Sequence, residues 1–142
     1  MDAAVAAALT AFVVEPGLTS PAGGGVALVR SGADGRVRAH DFFATIPGLG
    51  RPPGEEPAMV PLPVDYGAEV QIFHVGPASV GVPGMPAGLE HLHRRYGTLP
   101  LPLLVEPALD HARSGFEVAG NLPVTTALIA ELLRQDPAVA AL

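Results

Sequence analysis

The chain has 142 residues, enough for one domain, with 49% hydrophobic and 15% charged positions, a composition that excludes a disordered acidic tail. Eight arginines, no lysine and fourteen acids give a net charge of -6. Nothing concentrates enough positive charge to neutralise phosphates, which argues against nucleic acid as a partner. The absence of cysteine excludes disulfides, thiolate metal sites and a cysteine nucleophile.

Alanine dominates residues 2–13, and alanine is the best helix former, so a helix is expected there. Asp2 places an acid at the positive end of its dipole. The segment has almost no polar face, so it is expected to be enclosed on several sides within a larger structure. The apolar run 3–14 is too short to span a bilayer and lacks the basic flank of a signal peptide. A helix that starts at residue 2 suggests a start that has been cut into. Glu15-Pro16-Gly17 stops it.

Gly23-Gly24-Gly25 leads into a short apolar strand over 26–29. Turn chemistry over 31–35 and a returning strand over 37–43 complete a β-hairpin. Residues 47–57 hold four prolines and three glycines and read as loop. Residues 70–75 read as another strand, followed by a second Gly/Pro-rich stretch. The last third is helical. One helix runs from Pro86 to about Tyr96, with Leu89 and Leu92 on one face, and ends at Gly97. A second opens at Pro102, with Leu104, Val105, Leu109 and Ala112 as its inner face, and closes at Gly115. Pro107, one turn in, implies a later start or a bend. A third spans 125–133. The order of elements suits an α+β or layered α/β fold.

Few residues offer chemistry on their own. His91 and His93 stand two apart on a helix, so they point in different directions and cannot chelate one ion; His111 joins them only through tertiary structure. The three glycines precede a strand rather than a helix and no lysine follows, which favours close backbone packing over a phosphate cradle. Thr125 and Thr126 have no base nearby and suit helix capping. Asp65 with Glu69, and Glu55 with Glu56, read as solvated acids rather than an acid/base pair.

The wording of the chain is more specific than its spacing. Val13-Val14-Glu15-Pro16 and Gly23-Gly24-Gly25-Val26, preceded by the alanine-rich segment from Asp2 to Leu9, closely resemble the start of the γ-glutamyltransferase (γ-glutamyltranspeptidase) family. The resemblance continues through Asp41-Phe42, Val82-Pro83-Gly84-Met85-Pro86-Ala87-Gly88-Leu89, Arg95-Tyr96-Gly97-Thr98, Glu106-Pro107-Ala108 and Ser114-Gly115-Phe116. It implies an N-terminal nucleophile hydrolase: an αββα sandwich, of which this chain would hold helices and an incomplete antiparallel sheet in a single incomplete domain over 1–142. Family members are precursors that cut themselves into a large and a small subunit. The new N-terminal Thr of the small subunit is the nucleophile, and its α-amine is the base.

The resemblance places this chain in the early large subunit, so no catalytic residue is expected within it and the chain alone is expected to be inactive. Its partners would be the remainder of the large subunit, the small catalytic subunit and a small γ-glutamyl or acyl amide substrate; no cofactor or metal is implied. Ala22 stands where the family's longer glycine run has another Gly. In the family, an Arg after the Asp-Phe pair clamps the substrate's α-carboxylate. Phe43 takes that place here, with Arg38 and Arg51 as substitutes that do not match the motif. That change points to the wider group of amidohydrolases and acylases. The rival reading is a non-catalytic chain that acts only as an interaction or structural piece.

Overall fold

Residues 1–48, 59–118 and 120–134, with Gly50, Pro52, Gly54 and Pro137, are described in a computed structural model. The chain divides into two compact units, residues 1–46 with 81–117 and residues 47–80 with 118–142.

In the first unit, helix α1 (Asp2–Val14) precedes a hairpin of β1 (Gly25–Arg30) and β2 (Val37–Phe42), followed by α2 (Met85–Tyr96) and α3 (Leu101–Ser114). α1 ends where the Glu15 amide bonds back to the Ala11 carbonyl at 2.8 Å, just before Pro16. Only Val5 on this helix is fully buried; it packs among α2 and α3, and Ala3, Ala4 and Ala7 are exposed. The enclosure expected for so apolar a helix is therefore incomplete among the described residues. Leu89 and Leu92 of α2 are buried as expected, each stabilising the unit by about 1.5–3 kcal/mol.

The inner face of α3 differs from the expected one. Leu104 and Ala108, four apart and hence on one side of the helix, are buried, whereas Leu109 is 41% exposed and Ala112 is also exposed. The helix begins at Leu101 and runs through Pro107. The proline therefore does not delay its start, although the Leu103 carbonyl loses its usual donor.

β1 and β2 pair antiparallel, Gly25 opposite Phe42 through Arg30 opposite Val37. The turn closes through the Ser31 amide on the Arg36 carbonyl, with Gly35 at φ 68°. Residues alternate along both strands. Ala27, Val29, Arg38, His40 and Phe42 share the half-buried side, while Val26, Leu28, Ala39 and Asp41 share the exposed one.

The second unit holds a hairpin of β3 (Val60–Asp65) and β4 (Val70–Val75), a short 3-10 turn (Pro77–Ser79) and helix α4 (Leu122–Leu133). β4 has the expected bounds. β3 was not expected, because Pro61 and Pro63 break the usual strand signature. Prolines two apart fall on the same side of a strand. With no N–H, they fit only the pairs of an antiparallel ladder that exchange no hydrogen bonds, here opposite His74 and Ile72. Val64, buried at 3% exposure, and the half-buried Leu62 occupy the alternate positions, on the strand that packs against α4. Among the described residues the strands thus form two two-stranded antiparallel sheets, and with four helices the fold is α+β. Of the 47–57 loop, Leu49, Arg51, Pro53 and residues 55–57 lie outside the described residues.

Candidate functional site

At the end of the β1–β2 hairpin away from its turn, three segments meet: the glycine run entering β1, the residues leaving β2, and the entry to α2. Thr45 and Val82 exchange backbone hydrogen bonds at 3.2 and 2.8 Å. The Gly23 carbonyl accepts from both the Gly84 and Met85 amides at 3.1 Å, so it satisfies two of the orphan donors at the α2 N-terminus. A carbonyl therefore occupies the position that a phosphate cradle would leave open. The glycines are required by proximity. A Cβ on Gly24 would collide with the backbone of Phe43 and Ala44, one on Gly84 with the Phe42 carbonyl, and one on Gly88 with the Phe42 ring. The turn at 16–20, with Gly23, Gly24 and Met85, borders a cavity of about 290 Å³ beside this junction.

Phe43 is the first residue past β2. Its amide donates to Asp41 Oδ1 at 3.0 Å, and its backbone lies against Gly24, so the main chain is held while the residue as a whole remains 65% exposed. Of the two substitute cations, Arg38 reaches Asp34 at the hairpin turn, 3.9 Å away, and Arg51 lies outside the described residues. Asp34 itself is held below the usual carboxylate range, first by the Ser31 side chain and then by the Arg36 amide.

The histidines separate as helix geometry requires. His93 Nε2 lies 2.8 Å from the Leu99 carbonyl beyond the helix end. His91 instead meets His40 of β2, with His91 Nε2 3.2 Å from His40 Nδ1 and the ring centroids 5.1 Å apart. The other nitrogen of His40 lies 2.9 Å from Tyr96 Oη, which also accepts a bond from Arg95 Nε at 3.1 Å. His111 stacks edge-on against Phe116. The His40–His91 pairing had no sequence signal, since the two residues are 51 positions apart; the strand and helix register brings them together.

Asp2 does more than complement a helix dipole. Its carboxylate accepts from the Thr98 hydroxyl at 2.6 Å and from the Thr98 amide at 3.0 and 3.1 Å, tying the start of α1 to the segment after α2. The Thr98 hydroxyl first, then its amide, hold the Asp2 carboxyl below its ordinary value.

In the second unit, α4 begins three residues before its expected start, with Pro123 in its first turn. Thr125 is therefore inside the helix. Its hydroxyl donates to the Asn121 carbonyl at 3.0 Å instead of capping an amide, and Thr126 is exposed. Asp65 Oδ1 accepts from the Gly67 amide at 2.7 Å, and the Glu69 carbonyl accepts from Tyr66, so these two residues shape the β3–β4 turn. Glu55 and Glu56 lie outside the described residues.

A family model described as gamma-glutamyltranspeptidase matches residues 1–142. Glutathione hydrolase 3 of Arabidopsis thaliana is 33% identical over 137 residues, 96% of this chain and 20% of that protein. The acylase ACY 1 proenzyme of Pseudomonas sp. strain V22 is 33% identical over 142 residues, all of this chain and 25% of that protein. The crystal structure of Helicobacter pylori gamma-glutamyltranspeptidase superposes with a TM-score of 0.74 at 28% identity, over 97% of this chain and 38% of that one. The fold is accordingly that of an N-terminal nucleophile hydrolase in part. The chain spans a fifth to a quarter of the length of these two curated relatives.

Proposed function

The chain belongs to the gamma-glutamyltranspeptidase family, and from that premise we propose that it is the binding-wall portion of an enzyme that hydrolyses γ-glutamyl or related acyl amides or transfers their acyl groups. The nucleophile is an N-terminal Thr supplied from outside these 142 residues, and this chain's partners are the rest of the large subunit and the small catalytic subunit. The observation that carries the reading is the convergence of three of the family-like stretches on one spot: Gly23–Gly25, Asp41–Phe43 and Val82–Gly88 meet at the hairpin end. These stretches are far apart in sequence, and the glycines are needed for their close approach.

Phe43 stands at that spot in the place of the carboxylate-binding Arg. Its exposed ring is free to face an acyl group rather than being used up in the core. An aromatic face repels a carboxylate and offers it no charge-assisted bond, so the acyl donor is uncharged or apolar at this point. The relatives' names include both a glutathione hydrolase and an acylase, and Phe43 favours the acylase side.

The test uses the protein in which this chain is joined to the part bearing the nucleophile. Simple acyl p-nitroanilides are hydrolysed in preference to γ-glutamyl ones, and replacing the processed N-terminal Thr by Ala abolishes turnover. Turnover that survives this replacement rejects the reading.

A further inference from the structure

We propose that His40 and His91 form a two-imidazole binding site for a late first-row divalent cation such as Zn²⁺, on the β2–α2 face of the first unit. This site is separate from the acyl-amide reading and does not depend on it. Three features support it.

The first is the separation of the donor atoms. His40 Nδ1 and His91 Nε2 are 3.2 Å apart. Two nitrogens at the usual Zn–N distance of about 2.0–2.1 Å and this separation subtend about 100° at the metal, close to tetrahedral. Imidazole nitrogen suits zinc, copper and nickel.

The second is the support of His40 from behind. Its Nε2 lies 2.9 Å from Tyr96 Oη, which accepts from Arg95 Nε at 3.1 Å. The tautomer in which His40 Nε2–H donates to Tyr96 leaves Nδ1 as the lone pair that a cation takes, and His91 binds through Nε2 in its Nδ1–H tautomer. Hydrogen bonding at the far nitrogen of a metal ligand is the usual way such rings are oriented.

The third is the rigidity and access of the pair. His40 lies within β2, and Phe42, two residues on, is wedged against Gly88, three residues before His91 on α2. The rings border an open cleft of about 440 Å³ shared with Asp41 and Ala87, and His91 is exposed, so water can complete the coordination. The two donors come from different elements, which is why the sequence, in which His91 and His93 cannot chelate one ion, carries no sign of His40.

The test is a Zn²⁺ titration of the chelator-treated 142-residue chain at neutral pH, read by calorimetry and by the imidazole proton resonances. One equivalent is expected, with the His40 and His91 resonances shifting. His91→Ala, at an exposed position, and His40→Ala each weaken binding about tenfold or more, Tyr96→Phe weakens it about tenfold, and His93→Ala leaves it unchanged. If His40→Ala does not fold, His91→Ala with His93→Ala still decides the matter. No saturable binding, or binding equally tight in His91→Ala, overturns the proposal.

Discussion

The two hairpins are similar in outline but differ in what holds them. Both cover one face with a helix, α2 against β2 and α4 against β3. Both leave branched apolar side chains on the other face: Val26, Leu28 and Val37 in the first, Val70 and Ile72 in the second. A solvent-facing strand normally alternates apolar with polar, so both outer faces have the character of buried ones. That is the pattern of an αββα sandwich seen in part. The hairpins part ways at their ends and edges. β1–β2 is clamped at its open end by Gly24, Gly84 and Gly88 against the residues leaving β2, and Phe43 emerges there. β3–β4 has no such clamp among the described residues. It relies on the Asp65–Gly67 turn, and Pro61 and Pro63 strip donors from its outer edge. The first hairpin is built to hold one residue in place, the second to close one edge.

The most direct way to break this contrast is at the glycines. In Gly84→Ala the new methyl meets the Phe42 carbonyl, a backbone atom that cannot swing aside, and the cost is about 3 kcal/mol. Gly67→Ala in the β3–β4 turn meets nothing within 4 Å and suffers only from its φ of 86°, about 1 kcal/mol. Urea unfolding of the two variants gives the ranking, and equal losses would remove the clamp from the account.

Phe43→Arg sharpens the functional half of the contrast. In the complete enzyme it raises kcat/KM for γ-glutamyl donors relative to simple acyl amides by about tenfold, equivalent to about 1.4 kcal/mol. Ile72→Arg, on the exposed face of the other hairpin, leaves that ratio unchanged. If the parent enzyme already prefers γ-glutamyl donors and Phe43→Arg does not alter this, the carboxylate is held elsewhere.

Self-association follows the edges. The isolated chain is expected to associate, because its outer sheet faces and much of α1 are uncovered. Leu28→Lys, on the hairpin without prolines, reduces association more than Ile72→Lys does in sedimentation velocity. A compact monomer of the unmodified chain counts against this reading.

The smallest effect concerns Asp2. Its carboxyl is held low by Thr98, so the charged form is favoured in the folded state. The resulting stability is present above the unfolded-state pKa and fades as pH falls through the lowered folded value. Asp2→Asn therefore lowers the melting temperature slightly at neutral pH, where the charged carboxylate contributes, flattens the acid side of the profile, and converges with the parent at low pH. An unchanged acid side would show that the Asp2–Thr98 tie contributes nothing.

Local chemistry was the legible part of the sequence. The β1–β2 hairpin, β4 and α2 follow from turn residues, alternation and proline or glycine punctuation, and the structure has them close to their expected bounds. β3 was hidden because proline is a strand breaker on average; only its pairing partner reveals that Pro61 and Pro63 occupy permitted positions. The start of α4 was missed although Pro123 is a first-turn signal. Leu104 is buried as expected, but the burial of Ala108 rather than Leu109 is set by how α3 meets α1, which no periodicity within α3 determines. At the candidate site, Phe43 was singled out through resemblance alone. Gly84 and Gly88 were quoted within a family-like stretch, but their role depends on the position of Phe42. His40 carried no signal.

The central claim is that this chain shapes a binding wall and contributes no nucleophile. The most direct measurement is p-nitroaniline release when the purified 142-residue chain is incubated with γ-glutamyl and simple acyl p-nitroanilides. The account predicts no release above the uncatalysed rate. Release that disappears in Thr125→Ala or Thr126→Ala would contradict it and move the active site into this chain.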